Sequence, residues 1–305
     1  MSPTLVSGVL PVEKGAGVTS FQVVTYLRRL LEVPKGGHGG TLDPEATGVL
    51  PILIGEATKL TPYLAEMDKE YLATVRLGVS TTTQDLTGSV VETRAVPDVD
   101  RAAIEEVLSR FVGAIEQVPP MYSALRRGGR RLYELAREGI TVEREPRPVR
   151  VHGIALETVA LPELRMRIRC GKGTYVRTLA ADVGTALGCG GALSALIRTR
   201  VGPYALESAV SWTELSQPPA RDALRARILP SDSALAALPP VHLDESRTGM
   251  FVHGQTVSVP GGPEGHVRVY SVTGHCLGVG LGRGEAVKPE RLLHADSARP
   301  SALPA

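Results

Sequence analysis

The run Leu164 to Cys170 reads LRMRIRC, an apolar residue and an arginine in strict turn. Wound into a helix it would scatter charge round every side; drawn out as a strand it puts Leu164, Met166 and Ile168 on one face and Arg165, Arg167 and Arg169 on the other. The chain therefore has to build a sheet with one buried and one basic face. In YLATVRLG the residues Tyr71, Ala73, Val75 and Leu77 share a face in the same way and predict a second such strand. Elsewhere the period changes to that of helices. Val23, Val24, Leu27, Leu30 and Leu31 predict a helix behind an N-cap at Thr19 or Ser20, DVDRAAIEEVLSRFVG predicts a capped amphipathic helix ending at Gly113, and a third runs from about Tyr175 to Leu187. Apolar strands are expected at GVLPV and GVLPILIG, and a short helix around EATKLTPYLAEM. Strands and helices alternate without the rhythm of a doubly wound fold, so the predicted class is α+β.

A length of 305 residues favours two domains over one. Composition shifts after Trp212, where ELSQPPARDALRARILPSDSALAALPP carries two Pro-Pro pairs and reads as a linker with one or two helical turns. From Val241 to about His294, short alternating segments such as HVRVYSV and CLGVGLG stand between Gly and Pro, the pattern of a small β-rich domain. The division read from this is 1–237, 238–296 and a disordered tail over 297–305. The N-terminus lacks a basic start followed by an apolar stretch, and nothing approaches the roughly 18 apolar residues of a membrane helix, so a cytoplasmic protein is expected. Cys170, Cys189 and Cys276 are far apart and predict reduced, buried thiols.

The net charge of +2 conceals an uneven distribution. Between Gln117 and Arg200 stand 15 Lys or Arg against 7 Asp or Glu, and within Met121 to Arg150 there are 8 Arg against 4 Glu. That second segment, with a Gly-Gly pair followed by a short helix, reads as an excursion from the core. Clustered arginine suits phosphate and base-stacking contacts and points to a polyanion. Several chemistries drop out. CGKGT lacks the spacing of a phosphate loop, GVGLGRG that of a dinucleotide fingerprint, and the seven histidines form no metal-ligand spacing.

What remains is KGGHGGTLDPEATGVLP, Lys35 to Pro51. Gly36, Gly37, Gly39 and Gly40 are read as a tight loop using backbone angles closed to other residues, and Pro44 biases Asp43 away from helix. A carboxylate on a shaped loop results. The segment GHGGTLDPEATGVLPILIGEATK resembles the aspartate motif of the TruB family of tRNA pseudouridine synthases. VEKGAGVTS resembles that family's N-terminal lysine motif, DKEYLATVRLG its tyrosine strand, KGTYVRTLAADVG its tyrosine-arginine motif, and VPPMYSALRRGGRRLYELAREG its tRNA-binding thumb loop, while Val241 to His294 looks like its appended PUA domain. The lysine motif departs from the family, which shows proline where this chain has Gly15.

The resemblance implies a pseudouridine synthase fold with a mixed, mainly antiparallel sheet, and isomerisation of uridine 55 in the T arm of tRNA without cofactor or metal. Asp43 becomes the catalytic carboxylate, with three roles open to it: attack on the sugar carbon, attack on the base, or removal of a sugar proton to give a glycal. Arg177 becomes its countercharge, Tyr71 the ring that stacks on the target uracil, Tyr175 and Leu196 the apolar walls of the pocket. His38 fills the gap that the flipped base leaves, and Lys14 joins the substrate-binding set. The resemblance gives Arg126, Arg127, Arg130 and Arg131 to the thumb. It implies tRNA as partner through T arm and acceptor end, no DNA, no membrane, and a monomer.

Overall fold

The computed structural model describes residues 6–217 and 221–293, so the tail expected over 297–305 lies outside the described residues. Two units make up the chain, one from the residues up to Met67 together with those from Arg200 onward, the other from Asp68 to Thr199. In the first, β1 (Gly8–Lys14) runs antiparallel to β3 (Thr47–Ile54), from Gly8 opposite Ile54 to Lys14 opposite Gly48, and β2 (Gly36–His38) also pairs with β3. Helix α1 (Ser20–Leu31) starts at the Thr19 capping box, whose hydroxyl accepts the Gln22 N–H, and lays Val23, Val24, Leu27 and Leu31 against Leu10, Val12, Leu50 and Ile52. A 3₁₀ turn over Gly55–Leu60 leads into α2 (Thr61–Glu66).

The second unit is a sheet in the order β12 (Gly191–Val201), β4 (Lys69–Leu77), β11 (Glu163–Cys170), β10 (Arg147–Ala160), β7 (Gly113–Gln117). From β4 onward every pair is antiparallel, with Ile168 opposite Tyr71 and Val149 opposite Ile115. Leu164, Met166 and Ile168 are buried with Ala73, Val75 and Leu77, and α3 (Arg101–Ser109) and α5 (Val176–Ala186) add Ile104, Leu108, Leu179 and Val183 to the same core. On the opposite face Arg167 reaches Glu157 at 2.7 Å and Glu70 at 3.1 Å, so part of the expected basic surface carries its own counterions. Small hairpins leave this sheet: β5 (Val79–Thr81) with β6 (Val90–Thr93), and β8 (Arg126–Arg127) with β9 (Arg130–Arg131), the second followed by α4 (Leu132–Arg137).

Three expectations need correction. The helix predicted to end at Gly113 stops at Ser109; residues 110–112 form tighter turns, with Phe111 N–H on Leu108 and Val112 N–H on Ser109, and Gly113, at φ +106°, opens β7. Strand β12 was absent from the pattern reading, since GALSALIRTRV does not alternate. The supposed linker is packed. After β13 (Tyr204–Ala205), which turns back on the end of β12, Val210 accepts the Glu13 N–H at 2.8 Å and donates to the Pro11 carbonyl at 2.9 Å. Leu229 exchanges two backbone bonds with Val9, and Leu215 of α6 (Trp212–Ser216) and Leu224 of α7 (Arg221–Ala226) join the α1 core. Prolines and short helices give that stretch the composition of a linker, but Leu215, Leu224 and Leu235 are buried like any core residue.

Beyond it stands the β-rich body. Strands β14 (Pro240–His242), β16 (Gly265–Tyr270), β17 (Cys276–Arg283), β18 (Ala286–Leu292) and β15 (Val257–Ser258) form one sheet in that order. A helix the pattern reading missed, α8 (Glu245–Val252), is capped by Asp244 and puts Phe251 into the core with Val241, Val267, Val269 and Val287.

Candidate active site

Asp43 is half-buried on the loop between β2 and β3, and the residues on either side of it are pinned. Before it, the Ser20 hydroxyl accepts the Leu42 N–H at 3.0 Å and lies 3.2 Å from the Leu42 carbonyl, to which it donates. After it, the Pro44 carbonyl accepts the Gly17 N–H at 3.0 Å and the Lys14 ammonium at 2.8 Å. Lys14 has 0% exposure, and its Nζ donates also to the carbonyls of Gly15 and Val18, both at 2.8 Å. Three N–H donors thus meet three main-chain oxygens. These bonds tie the residues just before α1 to the aspartate loop. Gly15, the departure from the family pattern, lies under the Trp212 ring, where an added Cβ would come within 2.6 Å of Cδ1.

Gly36 and Gly39 serve packing, contrary to the expectation of special backbone angles. Gly36, Gly37 and Gly39 do not use the left-handed region, but a Cβ on Gly39 would fall 2.2 Å from Leu64 Cγ and one on Gly36 2.8 Å from Arg28 Cγ. His38, read as a loop residue, ends β2 opposite Ile52.

In the second unit, Tyr175 is the N-cap of α5 and Arg177 sits in its first turn with 6% exposure. Arg177 Nη1 donates to the Thr83 carbonyl at 3.1 Å and lies 3.8 Å from Asp85 Oδ2, while Nη2 donates to the Tyr122 carbonyl at 2.8 Å. Asp85 was missed in the sequence. Its Oδ1 accepts from the Thr83 hydroxyl at 2.6 Å, the Thr87 hydroxyl at 2.5 Å and the Thr87 N–H at 3.0 Å, which holds the other oxygen toward the guanidinium. Gln84, at φ +64°, accepts a bond from the Thr178 hydroxyl at 2.9 Å, so this turn is joined to α5 twice.

Tyr71 is half-buried on β4 and Leu196 partly buried on β12, packed with the same apolar cluster. The second missed residue is Arg198, at 1% exposure. Burial pulls its guanidinium below the ordinary arginine range, and the charge interaction and hydrogen bond with Tyr71 oppose that pull. No local pattern marks it; a buried arginine on an apolar strand is visible only once the strand is placed.

Arg126, Arg127, Arg130 and Arg131 are exposed together on the β8–β9 hairpin. Arg130 pairs with Glu138, and Arg131 donates to the Tyr133 hydroxyl at 3.0 Å. Among the described residues, no cluster of three His, Cys, Asp or Glu side chains could hold a metal ion, and no helix is long and apolar enough to cross a membrane.

A mixed sheet flanked by helices, a braced aspartate loop, a buried tyrosine-arginine turn and an added β-rich body are the parts of an RNA-isomerising enzyme, a pseudouridine synthase. Comparison with known proteins makes this particular. Residues 28–176 match the TruB family pseudouridylate synthase N-terminal domain, 177–236 the tRNA pseudouridylate synthase B C-terminal domain, and 239–293 the pseudouridine synthase II TruB C-terminal region. The tRNA pseudouridine synthase B of Burkholderia pseudomallei is 48% identical over 300 residues, covering 96% of this chain and 99% of that protein. That of Aromatoleum aromaticum is 46% identical over 290 residues, covering 95% and 93%. Among solved structures, a chain from a Cbf5-Nop10-Gar1 complex superposes with a TM-score of 0.74 at 27% identity, over 93% of this chain and 84% of its own. The chain belongs to the TruB family of pseudouridine synthases.

Proposed function

We propose that this protein isomerises uridine 55 in the T arm of tRNA, with Asp43 carrying the glycosidic-bond chemistry. The reaction detaches uracil from ribose, turns it and rejoins it through carbon; nothing is oxidised or added. A carboxylate serves such a bond by attacking, or by offsetting positive charge on, a poorly activated sugar carbon. One observation carries the reading: Asp43 is the half-buried side chain between two residues whose backbones are fastened by Ser20, Gly17 and Lys14. A loop so held keeps its carboxylate in place while a base is drawn from its stack, and orientation of that kind lowers barriers strongly. Arg177 is the countercharge, Tyr71 stacks on the uracil, Tyr175 and Leu196 wall the pocket, and His38 occupies the vacated stack. The hairpin arginines grip the T-arm backbone, and the body over 238–296 reaches the acceptor end, while 1–237 does the chemistry. The protein works as a monomer in the cytoplasm.

The test is Asp43→Asn with unmodified tRNA. Product formation should fall by on the order of a thousandfold or more while tRNA affinity stays within about threefold; conversion at the normal rate removes Asp43 from the chemistry. A second reading follows from another structural neighbour, a chain of an H/ACA RNP bound to a substrate RNA at 25% identity and a TM-score of 0.72, namely that a guide RNA is needed. Activity of the isolated chain on a bare T-arm hairpin is expected and would dismiss it.

A further inference from the structure

Strand β7 ends on Gln117, a polar residue with 2% exposure. Its side chain meets the main chain of Tyr175, 58 residues away. Gln117 Oε1 accepts the Tyr175 N–H at 2.9 Å, and Nε2 donates to the Tyr175 carbonyl at 3.3 Å. A primary amide is the neutral side chain that offers donor and acceptor together and so can match both groups of one peptide residue. Tyr175 is the N-cap of α5, yet its own side chain caps nothing. Gln117 therefore determines where the first turn of the helix stands.

Five residues on, the same stretch touches that turn again. The Tyr122 carbonyl accepts Arg177 Nη2 at 2.8 Å. From there the chain enters the arginine hairpin, with Ser123 N–H bonded to Met121 at 2.9 Å and the Ser123 carbonyl accepting from Tyr133 of α4 at 3.2 Å. Helix α5 does not depend on these contacts to exist, because Val176, Leu179, Ala180 and Val183 bury one face of it against the sheet. What the contacts add is position. Three hydrogen bonds join the root of the hairpin to the Tyr175–Arg177 turn.

We infer that Gln117 is a positioning residue for the isomerisation: it sets the backbone of Tyr175, and through it the place of Arg177, relative to the hairpin that holds the RNA. The inference rests on the reading that puts Tyr175 and Arg177 in the catalytic pocket. A displacement of about 1 Å at a reacting group costs on the order of 100-fold in rate, so a misplaced turn is seen in chemistry before it is seen in binding.

Gln117→Glu is the same size and keeps an acceptor for the Tyr175 N–H, but when ionised it has no donor and sets an anion against the Tyr175 carbonyl. The full chain and unmodified tRNA transcript are used, with single-turnover rate at saturating enzyme, tRNA affinity and melting temperature followed from pH 5.5 to 8.5. At pH 8 the rate should drop by on the order of 10- to 100-fold with affinity within about threefold. Burial raises the affinity of a carboxyl for its proton, so the deficit relative to wild type should narrow at pH 5.5, where the introduced group regains a donor. Gln117→Met, lacking both bonds but adding no charge, should show the rate loss without the acid recovery, and stands in if the first variant does not fold. A wild-type rate in either folded variant, or a loss of affinity as large as the loss of rate, overturns the inference. Arg177→Lys in the same assay separates the two levels: a normal rate there sinks the catalytic reading, whereas a slow Arg177→Lys beside a normal Gln117→Met sinks the role of Gln117 alone.

Discussion

The cations of this chain live in two environments. Lys14, Arg177 and Arg198 are almost without exposure, and main-chain carbonyls, a threonine-held carboxylate and a tyrosine hydroxyl surround them. Arg126, Arg127, Arg130 and Arg131 stand in solvent on a two-stranded hairpin, where Arg126 donates to the Gly129 carbonyl, Arg130 pairs with Glu138 and Arg131 donates to the Tyr133 hydroxyl. A buried cation is costly unless every donor is met, and once met it acts as a fixed bracket. An exposed one costs little to rearrange, because water replaces whatever partner it gives up. Formal charge is the same in both sets. Burial decides which cations position a loop and which are at liberty to hold a polyanion.

The contrast is most easily broken at Lys14. Lys14→Met keeps the apolar stem but leaves the Gly15 and Val18 carbonyls without the ammonium, and each buried acceptor left unmet costs roughly 1–3 kcal/mol. A loss of about 2 to 5 kcal/mol is expected in denaturant unfolding. An unchanged midpoint would mean that Lys14 does not bracket the loop. Replacing Arg126, Arg127, Arg130 and Arg131 together by Ala should do the reverse. Stability should move by less than about 1 kcal/mol, while tRNA affinity falls on the order of 10- to 100-fold and its salt slope flattens by up to about 3. A slope equal to that of the wild type takes the hairpin out of the RNA interface.

The smallest effect extends the burial rule to acids. Desolvation holds the Cys170 thiol up at about 11, and burial together with the nearby Asp232 charge holds Cys276 up at about 12. The unfolded chain releases these protons from near pH 8.5 and the folded chain does not, so the folded state binds more protons and stability falls as pH rises. The contribution is whole below about pH 8.5 and is lost progressively up to about pH 11 or 12, amounting to about 1 kcal/mol per thiol by pH 9.5. Cys170→Ala and Cys276→Ala should each flatten the decline in alkaline unfolding curves. A decline as steep in the double variant assigns it to other groups.

The two environments also separate what could be read early from what could not. Helix α1 and strand β11 were legible because each buries one continuous face, and a face repeats at a period in the sequence. The aspartate motif was legible as well, since its residues are neighbours in the chain. Asp85, Gln117 and Arg198 left no such trace. Each is a single polar residue whose partner is distant in sequence: Arg177 for Asp85, Tyr175 for Gln117, Tyr71 for Arg198. The segment after Trp212 was misread for a related reason, as its short helices show no repeat, and Leu215 and Leu224 find their core only against α1 and β1, Leu235 only against Val9, Leu53, Leu60 and Leu64.

Local order in the chain was enough to specify the α+β class, the main amphipathic elements, the arginine-rich excursion and the aspartate loop, because periodicity and turn chemistry act between residues close in sequence. The fold alone settled which polar groups are interior and what each one grips. Those pairings depend on which strands lie side by side, and hydrogen bonds reach only about 3 Å, so a partner many residues away acquires meaning only when the backbone has brought it there.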